Sequence, residues 1–133
     1  MATADALLRS GDLDGARKAL VEIVRARPQD AEARMFLFQL LAIAGEWDKA
    51  RTHLNMLAQL SPEAQMLSVA YGQAIEAEAM RAAVFRGETA APILTRDAEW
   101  AKDIAEALRL SIKGEHDAAD AARERAFDAA PGW

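Results

Sequence analysis

The sequence predicts an all-α protein built from stacked helical hairpins, an α-solenoid of about six to seven helices. Two observations predict this fold class. The 133-residue chain contains 32 alanines, and alanine is the strongest helix former. Three glycines also stand 17 residues before a proline: Gly11 and Pro28, Gly45 and Pro62, Gly114 and Pro131. Because glycine ends helices and proline cannot continue them, this spacing predicts helical hairpins.

The first two glycine–proline pairs are offset by 34 residues, and their surroundings repeat. The segment "GDLDGARKAL" returns as "GEWDKARTHL", which aligns Leu13 with Trp47 and Leu20 with Leu54; "GEHDAADAAR" is a weaker third copy. This period is typical of the tetratricopeptide helix–turn–helix repeat. We predict a single tetratricopeptide-like domain over 1–133, with repeat units of about 1–30, 31–64, a degenerate 65–97, and 98–131. Protein binding, rather than catalysis, is then the first functional hypothesis.

The first two hairpins follow the repeat closely. A short helix over 5–9 is expected to pair with one over 14–25, whose apolar residues recur at helical spacing and which Pro28 ends. The second hairpin pairs an almost wholly apolar helix over 31–44 with a helix over 48–60. Gly45 closes its first helix, and Asp48 is a candidate N-cap for the second. A helix that is apolar on nearly all sides must be buried on both flanks or face a ligand.

The third repeat keeps the period but loses its turn, because Ala79 stands where Gly45 stood. We expect one long helix over 63–85, about 33 Å at 1.5 Å per residue. The segment "GETAAPILTRD" follows as a loop, and its Asp97 is a candidate cap for the next helix. The last hairpin is expected over 98–113 and 117–129, with Pro131 after it.

No polar capping element follows Pro131, although repeat arrays need one over their last exposed face. We therefore expect either that the natural protein continues or that a partner covers this end.

The composition narrows the range of functions. A net charge of −5 and a pI near 5.0 argue against nucleic-acid binding, which needs a basic surface. The absence of cysteine excludes disulfides and thiolate ligands. The N-terminus has no secretory signal pattern, and no apolar run approaches the roughly 18 residues that span a bilayer. These features predict a cytoplasmic protein without a membrane contact.

Few residues of the sequence are candidates for metal binding or catalysis. His53 and His116 stand far apart and have no cysteine or carboxylate at ligand spacing, so we expect no metal, no cofactor and no catalytic residue. His116 is expected in a turn. Trp47 and Trp100 are expected to be packing residues at helix junctions.

In tetratricopeptide repeats the first helix of each hairpin lines a concave groove. Its groove positions here are mostly apolar, which suits the apolar face of an amphipathic helix. The candidate partner contacts are Met35, Gln39, Ile43, Met66, Val69, Gln73, Ile104 and Leu108. The alternative is that a neighbouring helix of the same chain, such as the long third-repeat helix, fills this groove.

Several segments together resemble one family. The segment "MFLFQLLAIAGEWDKARTHLNMLAQL" at 35–60 is similar to the N-terminal half of the ImpE/TagJ (SciE-type) accessory proteins of bacterial type VI secretion systems. "AEAMRAAVFRGETAAP" at 77–92, Trp100, "EALRL" at 106–110 and "RERAFDAAP" at 123–131 continue the resemblance in order. It therefore covers essentially the whole chain.

The resemblance implies a non-enzymatic adaptor at the contractile sheath. Its implied partner is a helical segment of the small, TssB-type sheath subunit, with an influence on sheath assembly or on disassembly by the ClpV-type ATPase. Members of the family are about twice as long and carry a C-terminal domain that this chain lacks. The alternative is a generic tetratricopeptide scaffold that binds another helical partner, or forms a weak homo-oligomer through Phe127 and Trp133.

Overall fold

The computed structural model describes residues 1–96 and 98–132. Within these residues the chain is all-α, as predicted, with seven helices and no strand. The helices are α1 (Ala2–Arg9), α2 (Leu13–Ala26), α3 (Ala31–Ile43), α4 (Trp47–Leu60), α5 (Pro62–Phe85), α6 (Glu99–Ile112) and α7 (His116–Ala129). The chain divides into two compact units, called unit 1 (Met1–Glu76) and unit 2 (from Ala77 onward). That the repeats form a single domain stays a prediction.

The glycines of the repeat period make the hairpin turns. Gly11, Gly45 and Gly114 have φ angles of 85°, 72° and 80°. Residues with a side chain adopt this left-handed conformation at a cost, whereas glycine does not. Each glycine follows a helix whose last carbonyls accept hydrogen bonds from the turn, such as Glu46 N–H to Leu41 C=O at 2.9 Å. The regular spacing of these glycines in the sequence therefore corresponds to the spacing of the hairpin turns.

Unit 1 contains the hairpins α1–α2 and α3–α4, with α2 also packing against α3. Its core is mostly aliphatic, and the largest fully buried side chains are Leu20, Leu37, Leu40, Leu54 and Leu57. Trp47 packs against this core at the start of α4, as expected. Packing around this buried core fixes the positions of the helices of unit 1 and hence of their exposed faces.

Two aspartates of unit 1 cap helices, but the predicted one does not. The Asp12 carboxylate accepts a hydrogen bond from Gly15 N–H at 2.8 Å, and that of Asp30 accepts one from Ala33 N–H at 2.9 Å. The expected cap at Asp48 is wrong, because α4 begins at Trp47 and Asp48 lies inside its first turn. Asp97, the other expected cap, lies outside the described residues.

The long helix of the degenerate repeat is confirmed as α5, which spans 24 residues. Pro62 stands at its first position, where the missing N–H costs nothing. Ser61 Oγ accepts a hydrogen bond from Ala64 N–H at 3.1 Å. Gly87, at a φ of 75°, ends the helix where the sequence predicted.

Unit 2 contains the hairpin α6–α7. Alanines dominate the buried side chains of this hairpin, which are Ala107, Leu110, Ala119, Ala122 and Ala126. His116 was expected in the turn, but it is the first residue of α7, because that helix begins one residue earlier than predicted. Trp100 is half-buried on α6.

Candidate protein-interaction site

The first helices of successive repeats touch within unit 1. The rings of Phe38 on α3 and Tyr71 on α5 meet edge to face, with centroids 5.4 Å apart and an angle of 61° between the planes. Ala64 and Ile75 of α5 are buried on the same side of the helix as Tyr71. The start of α5 therefore keeps the packing face of a repeat helix, although its repeat has lost the turn.

The opposite side of α5 is exposed. Met66, Val69 and Gln73 recur at i, i+3 and i+7 and so share one side of the helix, here called the α5 stripe. The exposed fractions of Met66 and Val69 are 81% and 64%. Two large apolar side chains on one stripe without cover are typical of a contact surface.

The candidate residues of α3 lie in a different setting. Met35 and Gln39 line a groove of about 550 Å³ between α1 and α3, together with Met1, Asp5 and Phe36. Ile43, at the end of α3, is 71% exposed. These residues follow the register expected of a groove-lining helix.

The last two candidates belong to unit 2. Leu108 lines a cavity of about 210 Å³ with Val84 and Ile93, and Ile104 is partly exposed on α6. The structure therefore places six of the eight predicted contacts in unit 1 and two in unit 2. Their joint role in one groove stays a prediction.

Sequence reasoning missed a buried cation on the apolar helix α3. Arg34 of α3 is only 6% exposed, and its Nη2 donates a hydrogen bond to Pro28 C=O at 2.7 Å. Its Nη1 reaches Met56 Sδ at 3.0 Å and His53 Nδ1 at 3.3 Å. No carboxylate lies within 4 Å of the guanidinium in the described residues. One signal was available, since Arg34 is the charged residue that opens the run "RMFLFQLLAIA".

Two kinds of structural feature are absent from the part of the chain that the structure describes. There, no three histidine or acidic side chains gather as metal ligands. Over the same residues, none of the helices combines the length and apolar character needed to cross a bilayer.

A family model described as "Tetratricopeptide repeat" matches residues 1–64. The type VI secretion system accessory component TagJ of Pseudomonas aeruginosa is 46% identical over 128 residues, which cover 96% of this chain. The chain is a TagJ homologue. It spans 46% of that relative's length, so the activity and partners of the whole relative come to this chain only as proposals.

The fold of this TagJ homologue also matches a solved structure. The X-ray crystal structure of protein VPA1032 from Vibrio parahaemolyticus superposes with a TM-score of 0.76, covering 95% of this chain and 47% of the other. The two sequences are 21% identical, so the likeness shows a shared fold.

Proposed function

We propose that this TagJ homologue is a non-enzymatic adaptor of a type VI secretion system, acting in the cytoplasm. It binds a helical segment of the small, TssB-type contractile-sheath subunit. Through that contact it acts on sheath assembly or on disassembly by the ClpV-type ATPase.

The exposed apolar side chains of unit 1 carry this proposal. Met66 and Val69 on the α5 stripe, with Ile43 on α3, present apolar surface to solvent on two helices that touch through Phe38 and Tyr71. An amphipathic helix is the partner that such spacing fits, because its own apolar residues recur every three to four positions. Homology to an accessory component of the secretion machinery supports a sheath protein as the source of that helix.

Binding of a fluorescently labelled peptide from the sheath subunit tests the site by anisotropy. Val69→Glu places a charge in the apolar contact, and we expect it to weaken binding at least tenfold, about 1.4 kcal/mol or more. The fold should persist, because Val69 is mostly exposed. Far-ultraviolet circular dichroism checks this.

Leu94→Glu is the matched control. Leu94 is a 91% exposed apolar residue of unit 2, and the same substitution there should leave peptide binding unchanged. Equal binding by wild type and Val69→Glu would remove the α5 stripe from the site. No binding of any sheath-subunit helix to the wild-type protein would overturn the proposed function itself.

A further inference from the structure

A second groove lies between α2 and α4 in unit 1, and the candidate residues above take no part in it. It encloses about 680 Å³, which is within the range of specific binding sites. Leu37 and Leu41 of α3 form its floor, with Ala19 and Val21 of α2 beside them. The groove therefore has an apolar base, with α2 and α4 as its two sides.

The rim of this α2–α4 groove is positively charged, although the chain as a whole carries −5. Its lining contains the four cations Arg17, Lys18, Arg25 and Lys49, against the two carboxylates Glu22 and Glu46. The rim thus has an excess of positive charge over an apolar floor.

The two carboxylates are occupied within the groove. Glu46 is shared by Arg17 of α2 and Lys49 of α4, and Glu22 pairs with Arg25 at 2.8 Å. Lys18 has no carboxylate within 4 Å in the described residues. Arg17 also pairs with Asp14 at 2.9 Å, so Lys18 is the rim cation whose charge is most available to a ligand.

A buried charge adds to this field from behind. His53 lines the groove, and the Arg34 guanidinium lies 3.3 Å behind its Nδ1 without a carboxylate partner among the described residues. A cation in a poorly solvated position is weakly screened, so it contributes to the potential in the groove. Positive potential above an apolar floor favours an occupant with apolar side chains flanked by carboxylates.

The shape of the groove favours an elongated occupant. Its lining runs along residues 17–25 of α2 and 46–53 at the start of α4, about 10–12 Å at 1.5 Å per residue. We propose that the α2–α4 groove binds an acidic amphipathic helix of a partner protein, with its apolar face on Leu37 and Leu41. One of its carboxylates pairs with Lys18, and another competes with the exposed Glu22 for Arg25. This goes beyond the proposed function, because it gives the chain a second docking surface that is separate from the α5 stripe.

A model peptide tests the proposal on the full chain. The probe is a labelled helical peptide with leucines on one face and glutamates on the other, compared with the same peptide carrying lysine in place of glutamate. We expect the acidic peptide to bind at least tenfold more tightly, with affinity that falls as salt is added.

The double variant Lys18→Glu/Arg25→Glu should weaken the acidic peptide about tenfold or more, because it reverses two charges at the rim. Both residues are exposed, so the fold should persist, as circular dichroism checks. Lys113→Glu, which changes an exposed lysine of unit 2, should leave binding of the acidic peptide unchanged.

Three results would overturn the proposal. The two peptides could bind equally, or the double variant could bind the acidic peptide as the wild type does. Alternatively, decanoate could bind in the groove while the acidic peptide does not, which would assign the groove to a small anionic amphiphile.

Discussion

At the scale of single residues, the hydrogen bond from Arg34 determines which ring nitrogen of His53 carries the proton. An arginine Nη can only donate, so His53 Nδ1 must accept and its ring proton must reside on Nε2. Burial lowers the pKa of His53 below its ordinary 6.5, and the nearby Arg34 charge lowers it further. The neutral imidazole is therefore the form that the fold accommodates.

This pairing predicts acid sensitivity. Below pH 6.5 the unfolded chain protonates His53 more readily than the folded chain, so the free energy of unfolding should fall as the pH drops through this window. The loss levels off below the folded-state pKa. Urea unfolding at a series of pH values measures it.

His53→Gln should flatten this pH dependence, because the amide oxygen of glutamine can still accept from Arg34 but does not titrate. The matched control is His116→Gln, since His116 is exposed at the start of α7. It should keep the wild-type dependence. If His53→Gln loses stability with falling pH as steeply as the wild type, the link between this pair and pH is wrong.

The sequence could not have predicted this pair. Helical spacing shows that Arg34 lies in an apolar run, but it does not show that Pro28 C=O, Met56 Sδ and His53 meet its guanidinium. Those neighbours are brought together by the packing of α3 on α4 and by the chain entering α3. From the sequence alone, only the presence of a charged residue in an apolar run is visible.

At the scale of helices, comparing two glycines of unit 2 distinguishes the cost of backbone strain from the cost of a close side-chain contact. Gly114 and Gly87 have similar φ angles of 80° and 75°. A Cβ on Gly114 would meet nothing within 4 Å, whereas one on Gly87 would lie 3.0 Å from Ile112 Cγ2. Substituting alanine adds the same left-handed strain at both positions and a close contact only at Gly87.

We expect Gly114→Ala to lower the free energy of unfolding by about 1 kcal/mol, the usual strain for a residue with a Cβ. Gly87→Ala should cost more, because Ile112 must also move. Thermal or urea unfolding of the two variants compares them directly. Equal losses of unfolding free energy would show that Ile112 moves without cost and that backbone strain alone destabilises both variants.

The helices were the most predictable feature of the chain. Their ends were predicted within three residues everywhere, and the long α5 followed from the missing glycine at Ala79. Caps were less predictable, because moving the start of α4 from Asp48 to Trp47 removes Asp48 from the capping position. A pattern with a period of 3.6 residues locates a face better than it locates an end.

At the scale of the whole chain, the repeat predicted the exposed side of each helix but not which of these sides form one surface. Met66 and Val69 are exposed as their repeat positions require. Leu108 instead lines a cavity inside unit 2, beside the loop that replaces the missing turn. The irregular segment at 86–96 therefore supplies neighbours of Leu108 that the repeat pattern does not predict.

The cores of the two units differ in the apolar area that each buried residue contributes. Unit 1 is sealed by five fully buried leucines, whereas the α6–α7 hairpin of unit 2 buries four alanines and one leucine. Burying a leucine side chain contributes about 1.5–3 kcal/mol, and an alanine methyl contributes much less. Unit 2 should therefore open locally at a lower free energy than unit 1.

Native-state hydrogen exchange of the intact chain, followed by mass spectrometry, measures this difference. We expect amides in the middle of α6 and α7 to exchange at least tenfold faster than those in the middle of α4, about 1.4 kcal/mol in opening free energy. All three helices have 14 residues, so helix length does not explain a difference. Equal or slower exchange in α6 and α7 would show that close alanine packing compensates for the smaller buried area.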